Sequence, residues 1–177
     1  MKKTLVIVAH PNIEGSANNK LLRDAAANVE GVTLHELYPL YPTFQIDAKK
    51  EQELLLSHDA IVLQFPFYWY SSPALLKEWQ DRVLLYGFAY GEGGDNLKGK
   101  DFTVAITAGG PKDAYRPEGY NHFTVEEFLR PFEQTASLCQ MHWKSPFVIH
   151  SSRRLTPEER ERHAEEYRSF LDKIVGG

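Results

Sequence analysis

The chain has very little cysteine, no long apolar run and no large excess of charge of either sign. Cys139 is the only cysteine, which excludes an intrachain disulfide and a cysteine-based metal cluster; we expect it to be a small buried residue of a helix. No segment approaches the length of a membrane-spanning helix, and the formal net charge of −4 favours neither nucleic acid nor an anionic membrane as a partner. The apolar run from Leu5 stops at His10, too early for a signal peptide, so we expect a cytoplasmic protein.

Motifs of several common enzyme classes are missing as well. The chain has no Gly-x-Ser-x-Gly elbow, the signature of many hydrolases. None of its seven histidines forms a pair with the spacing of a zinc-binding helix, and we expect His122, His142, His150 and His163 to be solvent-facing or structural. The remaining composition is ordinary: 177 residues, 42% hydrophobic and 25% charged, predict one globular domain over residues 1–177.

A short apolar stretch followed by four aromatic residues is the most informative part of the chain. Residues 60–63 read Ala-Ile-Val-Leu, which is typical of a buried strand in a parallel sheet. Residues 67–70 read Phe-Tyr-Trp-Tyr, and Pro73 then begins a helix with apolar residues at helical spacing. Ligands of open α/β sheets bind beyond the carboxyl ends of strands. The aromatic loop is therefore either a wall for a planar ring system or a hydrophobic cover over the end of the sheet.

The first strand leads into a predicted anion-binding loop. Leu5 to Ala9 is apolar, and we assign it to a central strand that ends at His10. Ser16 is the natural N-cap of a helix from about residue 17 to residue 29, closed by Gly31. Hydroxyl, amide and backbone N–H donors at the start of a helix suit a phosphate, whereas the alternative is a plain N-cap. His10, at the carboxyl end of the strand, is placed to touch a phosphate or a ring.

The rest of the chain alternates between strands and helices. A second strand is predicted over Val32–Tyr38, and a fourth over Asp101–Thr107. The fourth runs into Ala108-Gly109-Gly110, where the backbone can approach a ligand closely. A fifth strand is expected over 141–150, broken by Pro146. The other predicted helices begin at Asp47, at about Thr124 with a capping box, and at Pro157, the last running to about Val175.

This alternation predicts an α/β fold with a doubly wound, five-stranded parallel sheet, strand order 2-1-3-4-5 and helices on both faces. The order brings Ser16, the aromatic loop and the turn at 107–110 to one rim. A flavin mononucleotide (FMN) requires a phosphate site, flat walls for its ring and N–H donors near the ring edge. Each of the three loops supplies one of these. The glycine-rich segment 88–99 is expected to be a loop that covers a site, and it matches no nucleotide fingerprint.

Several motifs together resemble one known family. They are Val8-Ala-His-Pro, Ser16-Ala-Asn-Asn, Gln64-Phe-Pro-Phe-Tyr-Trp-Tyr-Ser-Ser-Pro, Trp79-x-Asp-x-Val, Phe88-Ala-Tyr-Gly-x-Gly-Gly and Thr107-Ala-Gly-Gly. Spread over nearly the whole chain, they are similar to motifs of the flavodoxin-like NAD(P)H:quinone oxidoreductases. The segment Leu40-Tyr-Pro-x-Phe-x-Ile-Asp resembles the bacterial branch. That branch includes ancillary oxidoreductases of glutathione-gated potassium efflux systems and general stress proteins.

The resemblance implies a flavodoxin-like fold and a set of flavin-binding positions. Those for phosphate and ribityl are His10, Ser16, Ala17, Asn18 and Asn19, and those for the ring are Phe67, Tyr68, Trp69, Tyr70, Thr107, Ala108, Gly109 and Gly110. Tyr115 matches a tyrosine that assists hydride transfer in larger animal members. The histidine that those members carry a few residues later corresponds to Asn121 here, with His122 beside it. The resemblance also implies a homodimer in which the partner completes each site.

Three functions follow as alternatives. An enzyme would take hydride from NADPH or NADH and pass two electrons to a quinone, with FMN as cofactor; FAD fits less well because the chain is short and shows no second phosphate-binding loop. A regulatory subunit would dock on a potassium efflux antiporter at the inner face of the membrane. An electron-transfer flavodoxin would present a strongly acidic face, and 20 basic residues with a net charge of −4 argue against it.

Overall fold

The computed structural model describes residues 1–177 and contains one parallel sheet. Its strands are β1 (Thr4–Val8), β2 (Val32–Glu36), β3 (Ala60–Pro66), β4 (Asp101–Thr107), β5 (His142–Trp143) and β6 (Phe147–Ile149). The order is β2-β1-β3-β4-β5, with β6 also paired to β4, which confirms the predicted order. The expected fifth strand is thus two short strands. Pro146 lies between them and has no N–H to donate, and the Thr103 hydroxyl donates to the Lys144 and Ser145 carbonyls across the gap.

Seven α-helices connect the strands. They are α1 (Ala17–Ala26), α2 (Leu37–Leu40), α3 (Ala48–Leu56), α4 (Ala74–Val83), α5 (Val125–Phe128), α6 (Arg130–Leu138) and α7 (Pro157–Gly176). None of them is both long enough and apolar enough to cross a membrane. Cys139 is buried, as predicted, but it is the C-cap residue that follows α6 instead of a residue within the helix.

Several predicted boundaries were wrong. Helix α1 ends at Ala26 instead of residue 29, because the next residues form tight turns and Gly31, at φ +83°, redirects the chain into β2. The second strand stops at Glu36, and the following residues form α2 around the buried Leu37. The helix predicted from Thr124 is divided into α5 and α6, since Pro131 cannot donate a helical hydrogen bond.

Side chains of the central strands alternate between two separate cores. In β1, Leu5 and Ile7 face the helices α2 to α6, whereas Val6 and Val8 face α1 and α7. This alternation is the period of a strand that is covered on both faces. Strand pairing brings the carboxyl ends of β1, β3 and β4 to the same edge of the sheet. Val8 pairs with Gln64, and Pro66 pairs with Thr107.

A carboxylate lies inside the core on the α2–α6 side. Glu51 is 1% exposed, and its carboxylate accepts hydrogen bonds from His35 Nε2 (2.8 Å), Tyr41 OH (2.5 Å) and Trp79 Nε1 (2.8 Å). Burial by itself would raise the pKa of Glu51, but these hydrogen bonds together hold the pKa below its usual value. The network joins β2, α3 and α4, so Trp79 of the Trp-x-Asp-x-Val motif has a structural role.

Candidate functional site

A cavity of about 460 Å³ opens at the carboxyl ends of β1, β3 and β4. It is bounded by the start of α1, the turn after β4 and the first turn of α7. Its lining residues are His10, Gly15, Ser16, Ala17, Asn18, Asn19, Pro66, Phe67, Tyr68, Thr107, Gly109, Ser152, Arg153 and Arg160. All five residues predicted to bind phosphate and ribityl are thus brought together with residues of both other predicted loops.

The first turn of α1 faces this cavity with backbone N–H groups that have no partner. Ser16 Oγ accepts a hydrogen bond from the Asn19 backbone N–H at 3.2 Å, so Ser16 is the N-cap. The N–H groups of Ala17 and Asn18 have no acceptor within the chain. Unpaired N–H groups at a helix start form a positive site that suits an anion.

Two side-chain amides tie α1 to the neighbouring elements. Asn19, which is 2% exposed, donates from Nδ2 to Thr107 Oγ1 at 2.9 Å. Asn18 Nδ2 donates to the Ser152 carbonyl at 2.6 Å. Both amides keep a buried oxygen with no hydrogen-bond partner, and such oxygens accept hydroxyl groups of a ligand well.

The cavity is cationic. Arg153 and Arg160 line it, no carboxylate does, and neither arginine takes part in an ion pair. Arg160 Nε is buried without a hydrogen-bond partner. In a protein whose net charge is −4, this arrangement favours an anionic ligand, because a buried donor without an acceptor is costly.

His10 faces the cavity as a neutral ring. Burial lowers the pKa of His10, and its Nδ1 accepts a hydrogen bond from the Asn12 N–H at 3.0 Å. The proton of the neutral ring therefore lies on Nε2, which is left as a donor. The ring packs edge-on against Tyr68, with 6.3 Å between centroids.

The aromatic loop is a tight turn whose side chains diverge. Trp69 (φ 49°) and Tyr70 (φ 61°) both lie in the left-handed region, which is strained for bulky residues, and the Ser71 N–H closes the turn on the Tyr68 carbonyl. Phe67 and Tyr68 line the main cavity. Tyr70 stacks on Phe128 at 4.8 Å. Trp69 is 92% exposed, so the loop is not merely a cover for the sheet.

A second cavity of about 270 Å³ continues from the first. Phe67, Gly109 and Arg153 border both cavities, and the second is completed by Trp69, Tyr70, Gly110, Tyr115, Tyr120 and Asn121. A Cβ atom on Gly110 would lie 3.0 Å from the Tyr120 hydroxyl and 3.1 Å from Tyr115 Cε2. A side chain at this position would displace Tyr115 or Tyr120 by a few tenths of an ångström, so the glycine leaves both tyrosines in place.

The structure also places Tyr115 and its neighbours. Burial raises the pKa of Tyr115, and hydrogen bonding to Gly110 and Asn121 opposes the rise. Asn121 accepts from the Tyr70 hydroxyl at 3.0 Å and borders the second cavity. His122 is exposed and borders neither cavity, so Asn121 is the neighbour of Tyr115 in this site.

Two sequence expectations find no counterpart in the cavities. Ala108 is fully buried; its N–H donates to the Ile149 carbonyl (2.7 Å) and its carbonyl accepts from the Ser152 N–H (3.0 Å). It joins β4 to β6 and lines neither cavity. The glycine-rich loop 88–99 borders neither of these two cavities within one chain. Conversely, the sequence analysis missed Ser152, Arg153 and Arg160; the polar Ser-Ser-Arg-Arg run directly after the last strand was the available signal for two of them.

This chain is similar to known proteins in both sequence and structure. A family model described as flavodoxin-like fold matches residues 2–171. The glutathione-regulated potassium-efflux system ancillary protein KefG of Cronobacter sakazakii is 48% identical, over 99% of this chain and 96% of its own. General stress protein 14 of Treponema denticola, solved in complex with FMN, superposes with a TM-score of 0.93 at 44% identity, covering 97% of this chain and 99% of its own.

An NADPH-quinone reductase from P. pentosaceus superposes with a TM-score of 0.86 at 34% identity, covering 95% of this chain and 96% of its own. The family match spans nearly all of the chain, and the strand order is the one expected for this fold. The chain therefore belongs to the flavodoxin-like fold family.

Proposed function

We propose that this protein binds FMN and transfers electrons from NADPH or NADH to a quinone. The observation that carries the proposal is the main cavity, which combines a helix start with unpaired N–H groups, two arginines and no carboxylate. It opens directly into a cavity with aromatic walls. The similarity to an FMN complex and to a quinone reductase supports the same ligand and reaction.

The residues present fit FMN part by part. The phosphate would be held by the Ser16 hydroxyl, the N–H groups of Ala17 and Asn18, and Arg160, whose buried Nε has no partner. The hydroxyls of the ribityl chain would meet the unpaired oxygens of Asn18 and Asn19 and the Nε2–H of His10. Both sets are within one cavity, as one ligand requires.

The ring would lie between the aromatic loop and the turn after β4. We propose Phe67, Tyr68, Trp69 and Tyr70 as its walls, and Thr107 and Gly109 as backbone contacts. Ala108 supports this turn by its hydrogen bonds to Ile149 and Ser152, and Gly110 gives the space that Tyr115 and Tyr120 occupy. The Gly109 N–H has no acceptor within the chain and would donate to the ring edge.

Bound FMN supplies two-electron chemistry, accepting hydride from the nicotinamide and delivering electrons to the quinone. The protein orients both substrates against one flat surface and excludes water with the aromatic side chains. The Tyr115 hydroxyl, in the second cavity, would donate a hydrogen bond to the oxygen on which charge develops. A donor that acts as charge appears speeds the reaction more than it tightens binding.

The first experiment identifies the cofactor. The main cavity has one group of anion-binding donors, and we expect one FMN per chain and no FAD. The purified protein should show a flavin absorption spectrum, and the released cofactor should co-elute with FMN in chromatography. Recovery of FAD at full occupancy would contradict the cofactor assignment, and failure of FMN to bind the apoprotein would contradict the function.

A second candidate function is regulation of a potassium efflux antiporter. The observation that favours it is the 48% identity to a KefG ancillary protein over nearly the full length of both chains. We propose that the flavin-bound protein docks peripherally on such a transporter at the cytoplasmic side of the membrane. Co-purification with an antiporter, dependent on bound flavin, is the expected result. Both functions can operate in one protein, and quinone reductase activity without any transporter binding would leave only the first.

We also propose a homodimer in which the partner completes the site. Trp69 (92% exposed) and Tyr120 (68%) border the second cavity, and large exposed aromatic groups mark interfaces. Light scattering should give twice the mass of the chain, and Trp69→Ser should shift the protein toward the monomer. A monomeric wild-type protein with full activity would refute this assignment.

A further inference from the structure

Arg153 lies at the junction of the two cavities. It borders both, next to Gly109, and a Cβ atom on Gly109 would be 3.8 Å from Arg153 Nε. Its side chain forms no hydrogen bond or ion pair within the chain, and no acidic residue borders either cavity. In the second cavity it is the only charged residue.

The backbone before Arg153 is attached to the turn that follows β4. The Ser152 N–H donates to the Ala108 carbonyl at 3.0 Å, and the Ser151 N–H donates to the Gly110 carbonyl at 2.9 Å. The Ser152 carbonyl in turn accepts from Asn18 Nδ2 at 2.6 Å. Ser151 lies in the left-handed region, at φ 52°. These bonds fix the start of the arginine side chain relative to the turn that would contact the flavin ring.

We propose that the Arg153 guanidinium contacts the ring edge of the cofactor and raises its reduction potential. The proposal rests on the FMN-binding function proposed above. When hydride from a reduced nicotinamide reaches N5, the nicotinamide is oxidised, and two electrons and one proton enter the ring, which leaves a negative charge on its N1 and C2 carbonyl edge. A cation beside the Gly109 N–H stabilises that charge in the reduced ring more than it stabilises the neutral oxidised ring.

The expected change in reduction potential depends on how exposed Arg153 is. Arg153 is exposed, so its interaction with the ring is screened by water and lies at the weak end of the range for close charges. We expect the neutral variant Arg153→Gln to weaken binding of reduced FMN relative to oxidised FMN by about tenfold. For a two-electron couple, a tenfold change corresponds to about 30 mV.

The test is the midpoint potential of FMN bound to wild-type protein and to three variants. Arg153→Gln should be about 30 mV more negative than wild type, with the affinity for oxidised FMN little changed. Arg153→Lys keeps the charge and should retain most of the potential. Arg154→Gln is the matched control. It removes the same charge, and Arg154 is also exposed but borders neither cavity. The midpoint potential of FMN bound to this variant should equal that of wild type.

A potential in Arg153→Gln equal to that of wild type overturns the proposal, even if the affinity for NADPH falls. That second pattern would assign the arginine to the nicotinamide nucleotide instead. Equal shifts in Arg153→Gln and Arg154→Gln also overturn it, because they would reflect net charge alone. If wild-type protein binds no FMN, the proposed function fails together with this inference; if it binds FMN and only the potential is insensitive, this inference alone fails.

Discussion

Removing the Ser16 hydroxyl tests two roles of one group: the N-cap that the structure shows and the phosphate contact that we propose. Ser16 Oγ accepts a hydrogen bond from the Asn19 N–H at 3.2 Å, which makes it the N-cap of α1. Because Oγ is the acceptor in that bond, the hydroxyl proton remains free to be donated into the cavity that Ser16 lines. The substitution Ser16→Ala therefore removes a cap from the protein and a donor from the proposed phosphate site.

The two losses have different sizes and appear in different measurements. Loss of an N-cap costs about 1 kcal/mol of unfolding free energy. Loss of a hydrogen bond to a charged phosphate costs roughly 1.5–3 kcal/mol of binding free energy, which is about 10- to 150-fold in the dissociation constant for FMN. A serine that is only a cap would show the first effect without the second.

The assay is urea denaturation of the apoprotein together with fluorescence titration with FMN. Asp47→Ala is a matched control, since Asp47 Oδ1 caps α3 by accepting from the Lys50 N–H at 3.1 Å and lies outside both cavities. It should lose similar stability and bind FMN normally. Ser16→Thr should restore both properties. If Ser16→Ala binds FMN as tightly as wild type, the phosphate is not at the start of α1.

Three further predictions concern other parts of the structure. Arg160→Leu should bind FMN at least tenfold more weakly than wild type, yet bind riboflavin, which has no phosphate, equally well. The control Arg162→Leu, on the exposed side of α7, should change neither affinity. Equal losses of FMN and riboflavin affinity in Arg160→Leu would refute the phosphate contact. Tyr115→Phe should slow flavin reduction about tenfold in stopped-flow measurements, or about 1.4 kcal/mol, with unchanged flavin content. Glu51→Gln should lower the unfolding free energy by about 3 kcal/mol. Because the folded pKa of Glu51 is lowered, its contribution is present above the unfolded pKa and lost as the pH falls through the folded pKa, so urea melts of the variant should depend less on pH in the acid range.

Local patterns were enough to predict the class of fold and the loops that carry the site. The apolar runs at Leu5 and Ala60 and the helix caps at Ser16 and Thr156 are signals within a few residues of each other, and right-handed crossovers leave few ways to order parallel strands. The rim that collects the first, third and fourth strand ends follows from that order. The break of the last strand at Pro146 was predictable as well. Boundaries were less predictable where they depend on packing, as at Glu36, where β2 ends before the buried Leu37.

The aromatic loop shows where local patterns stop being informative. The composition of residues 67–70 predicts aromatic walls, but the two left-handed residues of the turn send Trp69 to the surface and Tyr70 onto Phe128. Neither direction can be derived from the order of four aromatic residues, because it depends on backbone torsions and on a helix that begins at residue 125.

The sequence is sufficient for the alternation of strands and helices, the parallel sheet and the identity of three loops at one rim, because these depend on short-range periodicity and caps. The cationic character of the site is a property of the folded chain. Arg160 enters the cavity through the packing of α7 beside α1. Arg153 is held there by two hydrogen bonds of the residue before it: the Ser152 N–H donates to the Ala108 carbonyl, and the Ser152 carbonyl accepts from Asn18 Nδ2. Asn18 and Ser152 are more than a hundred positions apart, so no local pattern relates them; their contact exists only once α1 and the end of β6 pack on the same face of the sheet.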